Sequence, residues 1–535
     1  MTGRSRHGAG QPSPEKPGSP TSARQGMTPS VLLTVLGPAL AYAISQIDPL
    51  LFSLNLATIS NQLDVPPDRM GFLGGAATLV VAALVLAVGN LGDRYGLKRL
   101  LIYGLVASVV VNGLSMLVPS YQVLLVARFL DGLALTGLLG LSLALLTVSV
   151  PAAVRPAAIG VMMAITTLLY GVTPLLSGWL VEVLGWRSLF LVSPVLALVG
   201  IVFIVRHTVE QPRADLRELD VLGVVLFGVA LLGLVYGLGG AANGFTEPQV
   251  WVPLSVTVLV LAFFVHHERR VDQPALDLSL FGSRAFVVAV LAVVTLNFLG
   301  AGLGTVLGQF GTYVLQLPSQ TIGLLYLPGT LMVAVASIVA GRVMAATTAR
   351  PVLVAGLSIM GAAGLVMAAT ASITMATMLL VLVTWLTNLG GFVTATGSSD
   401  TVVSHATAGK TGSVAAVYPA FGMTGFAIGP AVYLFLLNLT FRAEWQADAA
   451  ARGISAKTAQ SSVDAVTGSL ASSPGGVGYD PALLKNAAGL SLGVDYTDGL
   501  RLTYLIVSAL PLLVAILAFF LMPRKGEVAD GEAAD

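Results

Sequence analysis

The sequence predicts an all-α membrane protein of fourteen transmembrane helices, and three observations carry that prediction. Of its 535 residues, 56% are hydrophobic and only 10% are charged. A soluble domain carries about 25% charged residues because its surface faces water, so a chain this poor in charge needs an apolar solvent outside itself. Apolar runs long enough to cross a bilayer recur along the chain, and Lys and Arg collect in alternate loops between them.

A helix needs about 20 mostly apolar residues to cross roughly 30 Å of hydrocarbon. Such runs lie near residues 32–58, 70–91, 100–118, 122–149, 157–181, 188–205, 221–241 and 250–266. The others lie near 285–313, 321–344, 351–371, 374–403, 413–439 and 502–522. Ala41-Tyr42-Ala43 resembles a cleavage site, but the apolar stretch continues to Ile59, past the core length of a signal peptide. It reads as an uncleaved first span.

An even number of spans puts both termini on one side. Arg94, Lys98, Arg99, Arg155, Arg206, Arg213, Arg217, Arg269, Arg270, Arg284, Arg342, Arg350, Lys410, Arg524 and Lys525 fall on that side. The opposite short loops hold Arg69 and Arg187. The positive-inside rule then predicts a multi-pass protein of the inner (cytoplasmic) membrane with both termini in the cytoplasm. Residues 1–30, rich in Gly, Pro, Ser and basic residues, read as a disordered cytoplasmic tail, and 523–535 as a second tail. Residues 441–500 read as one long external loop with short helices near Ser455–Leu470 and Pro481–Leu490. A loop of that length suits either a functional element or a passive cap.

Composition excludes several function classes. With no cysteine, disulfides, thiolate metal sites and cysteine nucleophiles are ruled out. A net charge of +1 gives no basic face for nucleic acid. His7, His207, His266, His267 and His405 sit in polar segments at the ends of apolar runs. Adjacent helix positions point apart, so His266-His267-Glu268 reads as a polar collar rather than a metal site. Gly409-Lys410-Thr411 lacks the earlier glycine of a Walker loop, which argues against ATP-driven pumping. No cofactor, no metal and no enzymatic activity are expected.

The loop after the second span reads Gly89-Asn90-Leu91-Gly92-Asp93-Arg94-Tyr95-Gly96-Leu97-Lys98-Arg99. Its glycines permit a tight turn and close helix approach, and Asp93 can cap a helix N-terminus or pair with a base. The stretch resembles the loop signature of the major facilitator superfamily, and Gly89, Asp93, Arg94, Gly96, Lys98 and Arg99 are its cytoplasmic-gate positions. In the fourth span, Arg128-Phe129-Leu130-Asp131-Gly132 resembles the family's R-x-x-q-G, with Asp131 where glutamine is usual. In the fifth, Thr173-Pro174-Leu175-Leu176-Ser177-Gly178 resembles the antiporter signature; Pro174 and Gly178 match it, and Thr173 and Ser177 stand where glycines are usual. Gly185-Trp186-Arg187-Ser188-Leu189-Phe190 matches the family's G-W-R-x-x-F.

Glu268-Arg269-Arg270 with Pro274-Ala275-Leu276-Asp277-Leu278, Leu280-Phe281 and Arg284-Ala285-Phe286 resembles the fourteen-span drug:proton antiporter group. Ser399-Asp400-Thr401-Val402-Val403-Ser404, with Gly412 and Gly425, is similar to its quaternary-ammonium and multidrug exporter subgroup. The resemblance implies a major facilitator fold: a six-helix bundle at 31–206, two added helices at 207–284, and a second six-helix bundle at 285–522 that includes the 441–500 loop. Two departures stand out. Pro419 and Met423 occupy places where the subgroup carries acidic residues in the thirteenth span, and Leu50, Ser53 and Ala57 replace its usual Thr, Asn and Pro in the first.

Ionisable groups within the membrane are costly and face a cavity or a partner. Asp48 lies inside the first span, Asn55 two turns further along the same face, Arg128 and Asp131 three apart in the fourth span, and Asp400 near the end of the twelfth. Asp48, Arg128 and Asp131 are the expected proton-coupling set. Burial favours a protonated carboxyl and a nearby cation the ionised one, so alternate exposure and pairing with Arg128 would load and unload Asp48. The structural alternative is that Asp48 pairs with Arg128 to pin two helices. Asn55, Asp400, Asn297 and Asn388 are the candidate cavity residues, although an isolated amide in a span also serves to bond a neighbouring helix.

The expected function is proton-coupled efflux of amphipathic toxic compounds, cations included, by alternating access. The alternative is export of an endogenous envelope lipid or metabolite through the same fold. The expected partners are a small amphipathic or lipid-like substrate, protons and membrane lipids, with no nucleic acid, and the protein is expected to act as a monomer.

Overall fold

A computed structural model describes residues 28–65, 67–210, 220–239, 248–271, 274–310, 314–315, 319–407, 409–451, 453, 455–457, 460–461 and 492–523. The expected tails, and the short helices expected near Ser455–Leu470 and Pro481–Leu490, fall largely outside these residues. Among the described residues fourteen helical spans are long and apolar enough to cross a bilayer, as the sequence predicts.

In chain order the helices are α1 (Pro29–Leu54), α2 (Leu56–Gln62), α3 (Pro67–Tyr95), α4 (Leu97–Ser115), α5 (Tyr121–Ser149), α6 (Arg155–Leu184) and α7 (Val192–His207). Then come α8 (Val221–Gly239), α9 (Pro248–Glu268), α10 (Arg284–Gln309), α11 (Ser319–Ala346), α12 (Ala349–Thr370), α13 (Thr377–Ser404) and α14 (Thr411–Ala451). The last span is made of α15 (Leu492–Val507) and α16 (Ala509–Leu521), interrupted at Ser508.

One set of helices packs among α1 and α3–α7, and another among α10–α16. They meet where α3 lies on α14 and α6 on α11, while the pair α8–α9 leans on α3 and α14. The crossings depend on small residues. A Cβ on Gly160 of α6 would fall 2.5 Å from the Ser337 carbonyl oxygen of α11, and one on Gly341 would fall 2.6 Å from that of Pro156. This close backbone approach supplies the packing that apolar burial supplies in water. The outward faces stay apolar, as Val258 and Leu259 on α9 illustrate at 66% and 70% exposure; in lipid such exposure carries no penalty.

The Asp93–Gly412, Asn90–Ala275, Lys410–Asp277 and Ser283–His405 bonds bring the helix ends that carry Arg94, Lys98, Arg284 and Lys410 to one side, here called the basic face. Lys98 Nζ donates to the Val205 and Thr208 carbonyls at 3.1 and 2.7 Å, closing the C-terminus of α7, where a cation is favoured. Gly96, at φ 105°, makes the turn between α3 and α4, a conformation that suits glycine.

Two boundaries differ from the sequence expectation. α14 spans 41 residues, about 60 Å at 1.5 Å per residue, and remains helical to Ala451, where the loop was expected from 441. α15 starts at Leu492, ahead of the expected 502. The reason lies in paired polarity. Arg501 bonds Asp498 at 3.3 Å and donates to the Ala368 carbonyl at 3.1 Å, so a segment that looks too charged for a span is internally satisfied. On the α14 extension, Phe441 meets Tyr496 of α15 with ring centroids 5.9 Å apart, giving both segments an apolar partner.

Candidate functional site

Asp48, Arg128 and Asp131 converge inside the first helix set at 5%, 1% and 1% exposure. The i, i+3 spacing on α5 puts Arg128 beside Asp131, and α5 packs against α1 so that Asp48 meets them. Arg128 Nη1 donates to Asp48 Oδ1 and to Asp131 Oδ2, both at 2.8 Å. Arg128 Nε and Nη2 are buried without an acceptor, and the guanidinium lies over the Phe52 ring at 4.3 Å. That ring is a soft partner for a cation whose spare donors have lost water.

Two further residues, which the sequence did not single out, complete the set. Ser193 Oγ of α7 donates to Asp48 Oδ2 at 2.6 Å, and Asn112 Nδ2 of α4 donates to Asp131 Oδ1 at 2.8 Å. Both are 1% exposed. A lone Ser and a lone Asn in apolar spans give no periodic signal. The available clue is Asp131 itself: a carboxyl where a neutral amide is usual needs an extra donor.

Asn55 lies at the break between α1 and α2, because α1 ends at Leu54. The two-turn spacing from Asp48 therefore stops at Asn55. Its Nδ2 donates to the Leu51 carbonyl at 2.8 Å and to Ser177 Oγ at 2.9 Å, tying α1 to α6. Ser177, where a glycine is usual, supplies that acceptor. Pro174 lies inside α6, and a Cβ on Gly178 would meet nothing within 4 Å. Asn297 and Asn388 donate to the carbonyls four residues back, Val293 and Thr384, each at 2.9 Å. Asp400 is half-buried near the basic face, where Arg155 is the charge that acts on it. These hydrogen-bond partners of Asn55, Asn297 and Asn388 do not include Asp48, Arg128 or Asp131.

The gate positions do come together. Asp93 Oδ1 accepts from the Gly412 backbone N–H at 2.6 Å and Oδ2 from that of Ser413 at 2.8 Å, satisfying two unpaired donors of the first turn of α14. A Cβ on Gly89 would lie 2.5 Å from both the Ala416 Cβ and the Gly412 oxygen. Arg94 stacks over Tyr95 at 5.3 Å, and Arg99 approaches Glu210 at 3.9 Å.

The segment 274–283 forms a strap beside this gate. Asn90 of α3 donates to the Ala275 carbonyl at 3.0 Å, Lys410 meets Asp277 at 3.0 Å, and Ser283 bonds His405 at 2.8 Å. In the expected polar collar His266-His267-Glu268, His267 bonds Asp220 at 2.8 Å, and Glu268, 4% exposed, accepts from the Leu276 N–H of the strap.

A bundle of fourteen spans with a buried charge cluster in one helix set and a glycine-lined closure between the two sets is the architecture of a membrane transporter. Residues 38–430 match the family model described as Major Facilitator Superfamily, and the chain belongs to that family. It is 30% identical over 333 residues to the multidrug resistance protein Stp of Mycobacterium tuberculosis, covering 62% of each chain. It is 28% identical over 441 residues to the multidrug efflux pump LfrA of Mycolicibacterium smegmatis, covering 81% of this chain and 84% of LfrA. Among solved structures, the human organic anion transporter MFSD10 superposes with a TM-score of 0.59 at 16% identity, covering 92% of this chain and all of MFSD10. The proton:xylose symporter XylE does so with a TM-score of 0.55 at 13% identity, covering 94% and 98%. At those identities the likeness concerns the fold.

Proposed function

We propose that this protein exports amphipathic toxic compounds, cations included, from the cytoplasm by alternating access, driven by protons that enter through Asp48. The observation that carries the reading is the buried Asp48–Arg128 ion pair. Isolated charges in lipid are expensive, and replacing a buried pair by apolar residues is often neutral or stabilising, so a purely structural purpose gives little reason for it. A carboxyl that can leave its guanidinium and meet water on the other side of the membrane can carry a proton. One proton crossing gains about 2.3 kcal/mol per 100 mV, enough to bias the cycle.

The names of Stp and LfrA support drugs as cargo. With the basic face cytoplasmic by the positive-inside rule, the Gly89–Gly412 approach and the Asp93 cap would act as the cytoplasmic gate. The six-helix bundles at 31–206 and 285–522 would then rock about the membrane midplane, with the added helices of 207–284 at their side.

A second reading, export of an endogenous lipid or metabolite, is favoured by one specific feature: α14 carries Pro419 and Met423 in place of acidic residues. Proteoliposomes with an imposed pH gradient, offered fluorescent cations and labelled lipids, separate the two by which cargo accumulates. In the same assay D48N should abolish gradient-driven transport while the protein still reaches the membrane. Undiminished transport by D48N would remove Asp48 from the mechanism.

A further inference from the structure

Two carboxyls and one guanidinium share a dry site, and Arg128 is the cation acting on both. Asp48 Oδ1 and Asp131 Oδ2 each lie 2.8 Å from the same atom, Arg128 Nη1, so the two oxygens are no further apart than twice that distance. Two like charges sharing a site do not both ionise readily. One proton on the pair makes the set electrically neutral. Three groups, one guanidinium charge and one shared proton therefore close the charge balance without any further ion.

The remaining partners have a common property. Each carboxyl takes one bond from Arg128 Nη1, a donor that does not titrate in proteins. Its other bond goes to a group able to act either way. The Ser193 hydroxyl donates to an ionised Asp48 and accepts from a protonated one. The Asn112 amide presents Nδ2 to an ionised Asp131, and by turning over presents its carbonyl oxygen to a protonated one. Ser193 comes from α7 and Asn112 from α4, so the pair and its named partners together draw on α1, α4, α5 and α7.

We infer that the coupling proton is carried by the Asp48–Asp131 pair as a unit, and that Ser193 and Asn112 are positioning residues that let it rest on either carboxyl. In the transfer one O–H bond breaks as the other forms, Arg128 keeps its charge, and Ser193 and Asn112 exchange roles. This rests on the proton-coupled reading above and goes beyond it by making Asp131 a carrier rather than a competitor for Arg128.

The test is a pH titration of the purified full-length protein, followed by the infrared carboxylic C=O band, beside gradient-driven transport. The wild type should titrate one proton for the two carboxyls. N112L and S193A each remove a donor to an ionised carboxylate, so each should raise the midpoint by about one to two pH units, the equivalent of one such bond. S193T and N112Q, which keep the polar atoms, should return it toward wild type. In a D131N background the N112L shift should vanish while the S193A shift persists. Midpoints unmoved in folded N112L and S193A, or an N112L shift that survives D131N, would overturn the shared carrier. A wild type with no titrating carboxyl and no response to a pH gradient would instead overturn proton coupling itself.

Discussion

The Asp93 carboxylate of α3 accepts the Gly412 backbone N–H at 2.6 Å, across the seam between the two helix sets. Together with Ser413 it caps α14, where the helix dipole favours an anion. Replacing an N-cap side chain by alanine costs about 0.5–2 kcal/mol. Part of that cost falls on the state seen here, because the cap bridges two helix sets that the proposed cycle would separate. D93A should therefore populate the open basic face up to about tenfold more, since 1.4 kcal/mol is a factor of ten. The chain has no cysteine, so A416C labelling by a maleimide reads that opening directly. Unchanged labelling in D93A would deny the cap a gating role.

Gly89 makes a sharper prediction. A Cβ there would stand 2.5 Å from the Ala416 Cβ and from the Gly412 carbonyl oxygen, inside any real contact distance. G89V should reduce transport by more than about tenfold, as overpacking costs about 1–3 kcal/mol or more, while the protein reaches the membrane in normal amount. Adding A416G should not rescue it, because the Gly412 backbone remains in the way. Rescue by A416G would show that side-chain crowding alone sets the closure.

Much of this molecule is legible in its sequence. Span number follows from hydropathy, because each span must satisfy its own backbone in lipid and so shows as a long apolar run. The close approach of α3 to α14 is legible because Gly89 and Asp93 act through backbone approach and capping, which specify residue type at fixed spacing. The partners of Asp48 and Asp131 were only half legible. Arg128 is betrayed by its charge, whereas Ser193 and Asn112 are ordinary polar residues whose meaning comes from a fold that brings positions 48, 112, 131 and 193 together. The burial of Glu268 is not legible for a related reason: its partner, the Leu276 N–H, comes from a segment eight residues on that shows no periodicity. The last span was placed late because Asp498 and Arg501 cancel each other only in a helix.

Arg128 should be the costliest single loss in the protein. Removing it leaves Asp48 and Asp131 buried without a cation, and breaking a buried pair costs about 3–5 kcal/mol. R128M should lower the unfolding temperature clearly, while D48N/R128M/D131N should recover most of the loss, since it removes the charges together. Thermal unfolding in one detergent makes the comparison. If the triple variant is as unstable as R128M, the cost lies in packing against Phe52 and not in stranded charge.

The strap ends on two bonds to the second helix set, Lys410–Asp277 and Ser283–His405, and they should act redundantly. Lys410 and Asp277 are 38% and 32% exposed, so their pair contributes at most about 1 kcal/mol. K410A alone should leave A275C, whose site is 3% exposed, poorly labelled; K410A/H405A should expose it. The Ser279 hydroxyl is the main cause that holds the Asp277 carboxyl below the usual carboxylate range. A depressed value means that its contribution is present above the ordinary value of about 3.9 and is lost only as pH falls through the lower one. Acidifying from about pH 8 to pH 5, a range above that value, should therefore not loosen the Lys410–Asp277 end. D277N in the H405A background should loosen the strap at every pH in that range. Labelling of A275C that is no higher in D277N/H405A than in H405A would mean that the pair does not hold this end of the strap.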